Sequence, residues 1–218
     1  MTLTLKEKLV NIAKNKQTKD DPSHDFQHIL RVTNLAQRIA EFEKADLEIV
    51  VPAALFHDSV VYKKNSLESK NETEESALYA LEQLNNIDEY PKEKIERVQT
   101  CIRQCSFLKG ITPNLIESKI LQDADRLEAT GAVSIMRTFA SCGQMNIQFY
   151  DPDDPFCKKG TIPFKSGIDL FYNRLLLVED RMHTAIAKKI AKRRSEFLGQ
   201  FLKELEFELQ ESEIIKTL

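Results

Sequence analysis

Residues 46–58 read DLEIVVPAALFHD. The stretch predicts a helix that opens near Asp46, stays apolar for eight residues from Ile49 to Phe56, and closes on His57 and Asp58. An apolar helix ending in two metal-competent side chains directs them at something, whereas the bland alternative is a capped helix end with a solvated aspartate. Pro52 is tolerable there only in or near the first turn, or as the cause of a kink. An HD pair alone is a weak signal, since His is followed by Asp by chance in about one case in twenty. The chain holds a second such pair at His24-Asp25.

Working outward, apolar residues recur at helical spacing along almost the whole chain and no convincing strand is visible. The first helix carries Leu5, Leu9, Ile12 and Ala13, and the second runs from about Asp25 to Phe42 with Ile29, Val32, Leu35, Ala36 and Ile39 facing inward. Beyond the pair lies VVYKKNSLESKNETEE, too polar and irregular for core, then helices carrying Ala77, Leu81 and Leu84, and Ile95, Val98, Ile102 and Cys105, with Pro91 suited to a first helical position. Thr112-Pro113 predicts a further helix start leading through Ile116, Ile120 and Leu121, and Gly131 separates two helical pieces. Asn146 to Lys165, with Asp-Pro twice, reads as a lid-like loop, because long loops in compact domains are usually lids or binding elements. Helices from about Gly167 to Glu179 and about Thr184 to Glu208 complete the chain.

The 218 residues suit one domain, and the 42% hydrophobic and 30% charged residues are those of an ordinary globular chain. Six glycines and seven prolines are too few for the turns of an all-β chain this long, so composition leans all-α. A net charge of −3 offers no global field for a nucleic-acid backbone, and the basic run Lys188 to Arg194 reads as a solvated helix face, so no dedicated nucleic-acid binding is expected. No signal-peptide core opens the chain and no long apolar run follows, so a cytoplasmic protein without membrane partners is expected. Cys101 and Cys105 stand one helical turn apart on an apolar stripe, and with Cys142 and Cys157 they read as reduced thiols rather than a zinc site.

Order and context raise the weight of the His-Asp pair. The pattern HDFQHILRV (24–32), AALFHD (53–58) and LQDADRLEATGA (121–132) resembles the HD-domain superfamily of metal-dependent phosphohydrolases. Its likeness extends through YDPDDPF and FYNRLLLVEDRMHTAIAKKIAKRRSEFL to a bacterial subgroup of nucleotide pyrophosphohydrolases of the YpgQ type, and so covers nearly the whole chain. The resemblance implies a single all-α helical bundle, with a core of about residues 20–140, the loop of about 146–165 and C-terminal helices of about 167–210. It also implies metal ligands at His28, His57, Asp58 and Asp125. Two imidazoles and two carboxylates suit one divalent ion such as Mn²⁺, Mg²⁺, Co²⁺, Ni²⁺ or Fe²⁺ and leave positions open for water and a phosphate oxygen.

Asp123, roughly 200° from Asp125 around a helix, is an alternative ligand or a nearby acceptor. His24, a turn before His28, could meet a ligand carboxylate or a phosphate, and His183 reads as solvated. Arg31, Lys63, Lys64, Lys70 and Arg126 are candidate phosphate contacts, each with a structural or solvated role as its rival. Some HD enzymes carry acidic residues just past the dyad. Here Ser59-Val60-Val61-Tyr62 follow it, so the base is open between the metal itself and Glu72, Glu74 or Glu75.

The substrate expected is a small phosphorylated metabolite, foremost a nucleoside triphosphate cleaved to monophosphate and pyrophosphate. Phosphomonoester hydrolysis and a nucleotide-sensing module without turnover are the rivals, and a di-iron oxygenase would need further ligands. A homodimer is left open.

Overall fold

A computed structural model describes residues 1–16, 25–62, 66–106, 110–160 and 165–215. Its regular elements are helices: α1 (Leu3–Lys16), α2 (Phe26–Glu43), α3 (Leu47–Phe56), α4 (Glu72–Asn85), α5 (Ile95–Arg103), α6 (Ile116–Leu127), α7 (Gly131–Met145), α8 (Gly167–Asn173) and α9 (Ala185–Ile215). The one β-type pairing among the described residues is a bridge between Gln148 and Ser166. No described helix is long and apolar enough to cross a membrane. The helices form two compact units, Met1–Arg126 and Leu127–Leu218.

In the first unit α3 is the hub, packed by α1, α2, α4 and α5. Every residue from Ile49 to Phe56 is fully buried, which explains why this helix is apolar on all sides. Asp46 caps its start by accepting from the Glu48 N–H at 2.9 Å. Pro52 lies mid-helix in an unbroken element rather than in the first turn. Lacking an N–H, it leaves the Glu48 carbonyl without its helical donor. The Tyr90 hydroxyl supplies the bond at 2.6 Å.

Asp25, the acid of the second His-Asp pair, is the N-cap of α2, accepting from the His28 N–H at 2.9 Å. α6 begins at Ile116, later than Thr112-Pro113 suggested. Side-chain amides hold the intervening backbone out of a helix: Gln122 donates to Ile111 O, and Gln104 Oε1 accepts from the Asn114 N–H. Cys101, Cys105 and Cys142 are buried, Cys157 is half-buried, and all four are free thiols.

The second unit packs α7, α8 and α9 around Ile168, Phe171, Leu175, Leu198 and Leu202. Gly131 opens α7 at φ +72°, with the Arg194 stem where a Cβ would stand, and Arg194 donates to Leu127 O at 2.6 Å. The described residues between α7 and α8, 146–160 and 165–166, are tied by hydrogen bonds. Gly167 N–H donates to Gln148 O and Ile168 N–H to Phe149 O, both at 2.9 Å, and Asp169 accepts from Lys165 N–H, Ser166 N–H and the Cys157 thiol. The helix expected to reach Glu179 ends at Asn173 and gives way to 3-10 turns at Leu175–Leu177 and Glu179–Arg181. Leu175 and Val178 are both buried, and a three-residue period brings them onto one side. α9 runs on to Ile215, past the expected stop.

Candidate metal centre

Three helix ends of the first unit supply the candidate ligands. His28 sits in the first turn of α2, His57 caps the C-terminus of α3 with Asp58 in the turn that follows, and Asp125 lies in the last turn of α6. The ligand atoms of His28, His57 and Asp125 all lie within 4.8 Å of one another. Asp58 joins them: its Oδ2 is 3.5 Å from His28 Nε2 and 3.4 Å from His57 Nε2, while Asp125 Oδ1 is 3.7 and 3.9 Å from the same two nitrogens. Atoms bound at about 2.0–2.2 Å to one ion stand roughly 3–4 Å apart, so His28, His57 and Asp125 suit a shared cation, with Asp58 beside both imidazoles as the fourth candidate.

Burial divides the set. The side chains of His28 and His57 are each 1% exposed, against 28% for Asp58 and 34% for Asp125, so the imidazoles form a floor and the carboxylates a mouth open to water. His57 Nδ1 is 2.8 Å from Ala54 O. A carbonyl only accepts, so Nδ1 carries a proton, and in the neutral ring the lone pair is on Nε2. That Nε2 is buried and makes no hydrogen bond among the described residues. A buried acceptor without a donor is costly in a purely structural role, and it is what a metal-binding imidazole requires, its orientation set by the opposite ring nitrogen.

The other sequence candidates differ in burial and in partners. Asp123 is fully buried and stands outside the group whose ligand atoms converge. His24, Lys63 and Lys64 lie outside the described residues. Arg31 is half-buried on α2 one turn after His28, Lys70 is exposed in a 3-10 turn before α4, and His183 is exposed just ahead of α9. Arg126 is buried and donates to Gln122 Oε1 at 2.5 Å. Glu74 holds Arg103 through two bonds of 2.7 and 2.9 Å. Glu72 Oε1 accepts the Tyr62 N–H at 2.8 Å, and Glu75 Oε2 accepts the Tyr62 hydroxyl at 2.7 Å. These two bonds, and one from Val60 N–H to Ser76 Oγ at 3.1 Å, were invisible in the sequence because partners 10 to 16 residues apart follow no period.

A helical fold whose element ends bring two imidazoles and two partly exposed carboxylates close together is the frame of a helical metalloprotein. The HD-domain family model matches residues 25–130, which contain all four candidate ligands. YpgQ of Bacillus subtilis (strain 168) is 35% identical over 193 residues, 87% of this chain and 86% of its own length. The chain belongs to the HD-domain superfamily of metal-dependent phosphohydrolases. Among solved structures, Bacillus subtilis YpgQ in complex with ADP aligns with a TM-score of 0.71 at 32% identity, over 93% of this chain and 97% of that one. An HD-superfamily hydrolase from Bacillus thuringiensis aligns with a TM-score of 0.70 at 33% identity, over 95% and 97% of the two chains.

Proposed function

We propose that this protein hydrolyses a nucleoside triphosphate to the monophosphate and pyrophosphate, using one divalent ion held by His28, His57, Asp58 and Asp125. The observation that carries the reading is the convergence of His28, His57 and Asp125, with Asp58 beside both imidazoles, around a buried His57 nitrogen with no hydrogen-bond partner among the described residues. A nucleotide substrate is supported by the relative crystallised with ADP. A bound divalent ion supplies Lewis-acid polarisation of a phosphoryl oxygen and activation of water near neutral pH. Mn²⁺, Mg²⁺, Co²⁺, Ni²⁺ and Fe²⁺ all suit the mixed nitrogen and oxygen donors.

The chain's own residues do the rest. Two carboxylates balance a dipositive ion, so a polyanionic substrate meets a centre close to neutral rather than a negative one. The Ala54 carbonyl holds the His57 ring in one tautomer and one orientation. Arg31 and Lys70, with Lys63 and Lys64, are the cations assigned to the phosphates. In the reaction water oxygen bonds to the α-phosphorus, the bridge from that phosphorus to the β-phosphate breaks, pyrophosphate leaves and one proton is released.

The test is a panel of nucleotides and phosphorylated metabolites offered to chelator-stripped protein refilled with each metal in turn, with the products identified by phosphorus NMR. Equal release of pyrophosphate and nucleoside monophosphate is expected, together with a loss in Asp58→Ala of at least about tenfold in metal affinity. Orthophosphate as the first product would assign a phosphomonoesterase instead. Tight nucleotide binding without turnover by any metal-filled form would assign a sensor.

A further inference from the structure

The segment that follows the metal dyad has no helix or sheet of its own to hold it. Ser59 N–H donates back to Phe56 O at 3.1 Å, and two further backbone donors are taken by side chains of α4: Val60 N–H by Ser76 Oγ at 3.1 Å and Tyr62 N–H by Glu72 Oε1 at 2.8 Å. The Tyr62 hydroxyl adds a bond to Glu75 Oε2 at 2.7 Å. Glu72, Glu75, Ser76 and Tyr79 are spaced three or four residues apart and so share one face of α4. Tyr79 reaches the other side of the dyad, its ring packed edge-on against Phe56 at 5.9 Å between centroids. One stripe of α4 therefore contacts the chain at Phe56, just before His57, and at Val60 and Tyr62, two and four residues past Asp58. Glu74 points off this stripe, to Arg103.

We propose that the stripe Glu72, Glu75, Ser76 is a positioning device that holds Asp58 against the two imidazoles, with Glu72 acting through Tyr62 rather than as the base that takes the proton from water. The proposal rests on the metal-centre reading above. Asp58 lies in the turn beyond the C-cap of α3, and its carboxylate is partly exposed. The bonds at Val60 and Tyr62 fix the backbone path just beyond Asp58 and so the position from which its carboxylate projects, and each ligand must be held to a fraction of an ångström for tight metal binding. The chemistry of the grip separates positioning from proton transfer. A carboxylate and a carboxamide both accept a backbone N–H, but only the carboxylate takes a proton from water.

The experiment measures Mn²⁺ affinity by electron paramagnetic resonance, alongside kcat, KM and thermal midpoint, for the full-length wild type, Glu72→Ala, Glu72→Gln and Tyr62→Phe. Glu72→Ala is expected to weaken Mn²⁺ binding about tenfold, and Glu72→Gln to restore it to within about threefold of wild type. Tyr62→Phe, which removes the hydroxyl bond alone, is expected to weaken Mn²⁺ binding by about threefold to tenfold and decides the matter should Glu72→Ala fail to fold. Unchanged Mn²⁺ affinity in folded Glu72→Ala and Tyr62→Phe overturns the proposal. Loss of kcat in Glu72→Gln equal to that in Glu72→Ala, with Mn²⁺ affinity intact, also overturns it and makes Glu72 the base. A wild type that binds no Mn²⁺ overturns the metal-centre reading itself, and this proposal with it.

Discussion

Pro52 and Tyr90 show how one residue's chemistry creates the need for another. Pro52 removes a helical donor in the middle of a fully buried helix, and Tyr90, itself 2% exposed, returns one to the Glu48 carbonyl. Burial, with Asp46 and Glu48 nearby, pushes the Tyr90 phenol well above its ordinary range, which favours the protonated, donating form. Tyr90→Phe strands a buried carbonyl and is expected to cost about 1–3 kcal/mol. The measurement is urea unfolding, with a lowered midpoint and an unchanged slope. Pro52→Ala, which restores an N–H, should recover much of that loss in the Tyr90→Phe background and much less in the wild type, a coupling that a double-mutant cycle reads directly. Additive effects would show that the hydroxyl does not serve the proline's carbonyl.

At the scale of elements, α3 is anchored at its start by an ionic clamp. Lys94 Nζ lies 2.7 Å from both Asp46 Oδ2 and Glu48 Oε2. Partial burial pushes the Asp46 carboxyl up, but the bonds from Lys94 and the Glu48 N–H outweigh it and leave the group below its ordinary value. The Lys94 bond likewise holds Glu48 below its ordinary value. Groups depressed on folding stabilise the protein fully above their unfolded values, ordinarily 3.8 and 4.5, and lose that contribution as pH falls through the lower folded values. Lys94→Met should therefore flatten the fall in stability between about pH 5 and pH 3, as read from urea midpoints across that range. Because the three side chains are a quarter to a third exposed, added salt should shrink the difference. A pH profile identical in the variant and the wild type would remove the clamp from the account.

For the whole molecule, the candidate ligands come from α2, the end of α3, and α6, about 100 residues apart at their extremes, so a bound ion cross-links elements of the first unit. An ion that binds the folded chain alone adds stability by mass action, about 2.7 kcal/mol at a hundred times its dissociation constant. Mn²⁺ should raise the thermal midpoint and slow amide exchange in α3 and α6, and chelator should reverse both. A midpoint indifferent to every divalent ion would contradict a site built from folded geometry.

The all-α class and the helix that delivers His57 and Asp58 were legible in the sequence, because helical periodicity is local along the chain, whereas His28 and Asp125 became candidate ligands through the likeness of their motifs to a known family. Boundaries were less legible. The start of α6 and the break after Asn173 were set by Gln104, Gln122 and the packing of Leu175 and Val178. Only the tertiary structure could show which candidates share a site, why Pro52 is tolerated, and that the acids Glu72 and Glu75 grip Tyr62 while Glu74 holds Arg103. The physical reason is common to these cases. Periodicity tells which face of a helix is apolar, but hydrogen bonds and ion pairs between elements depend on how the elements pack, and no local pattern records that.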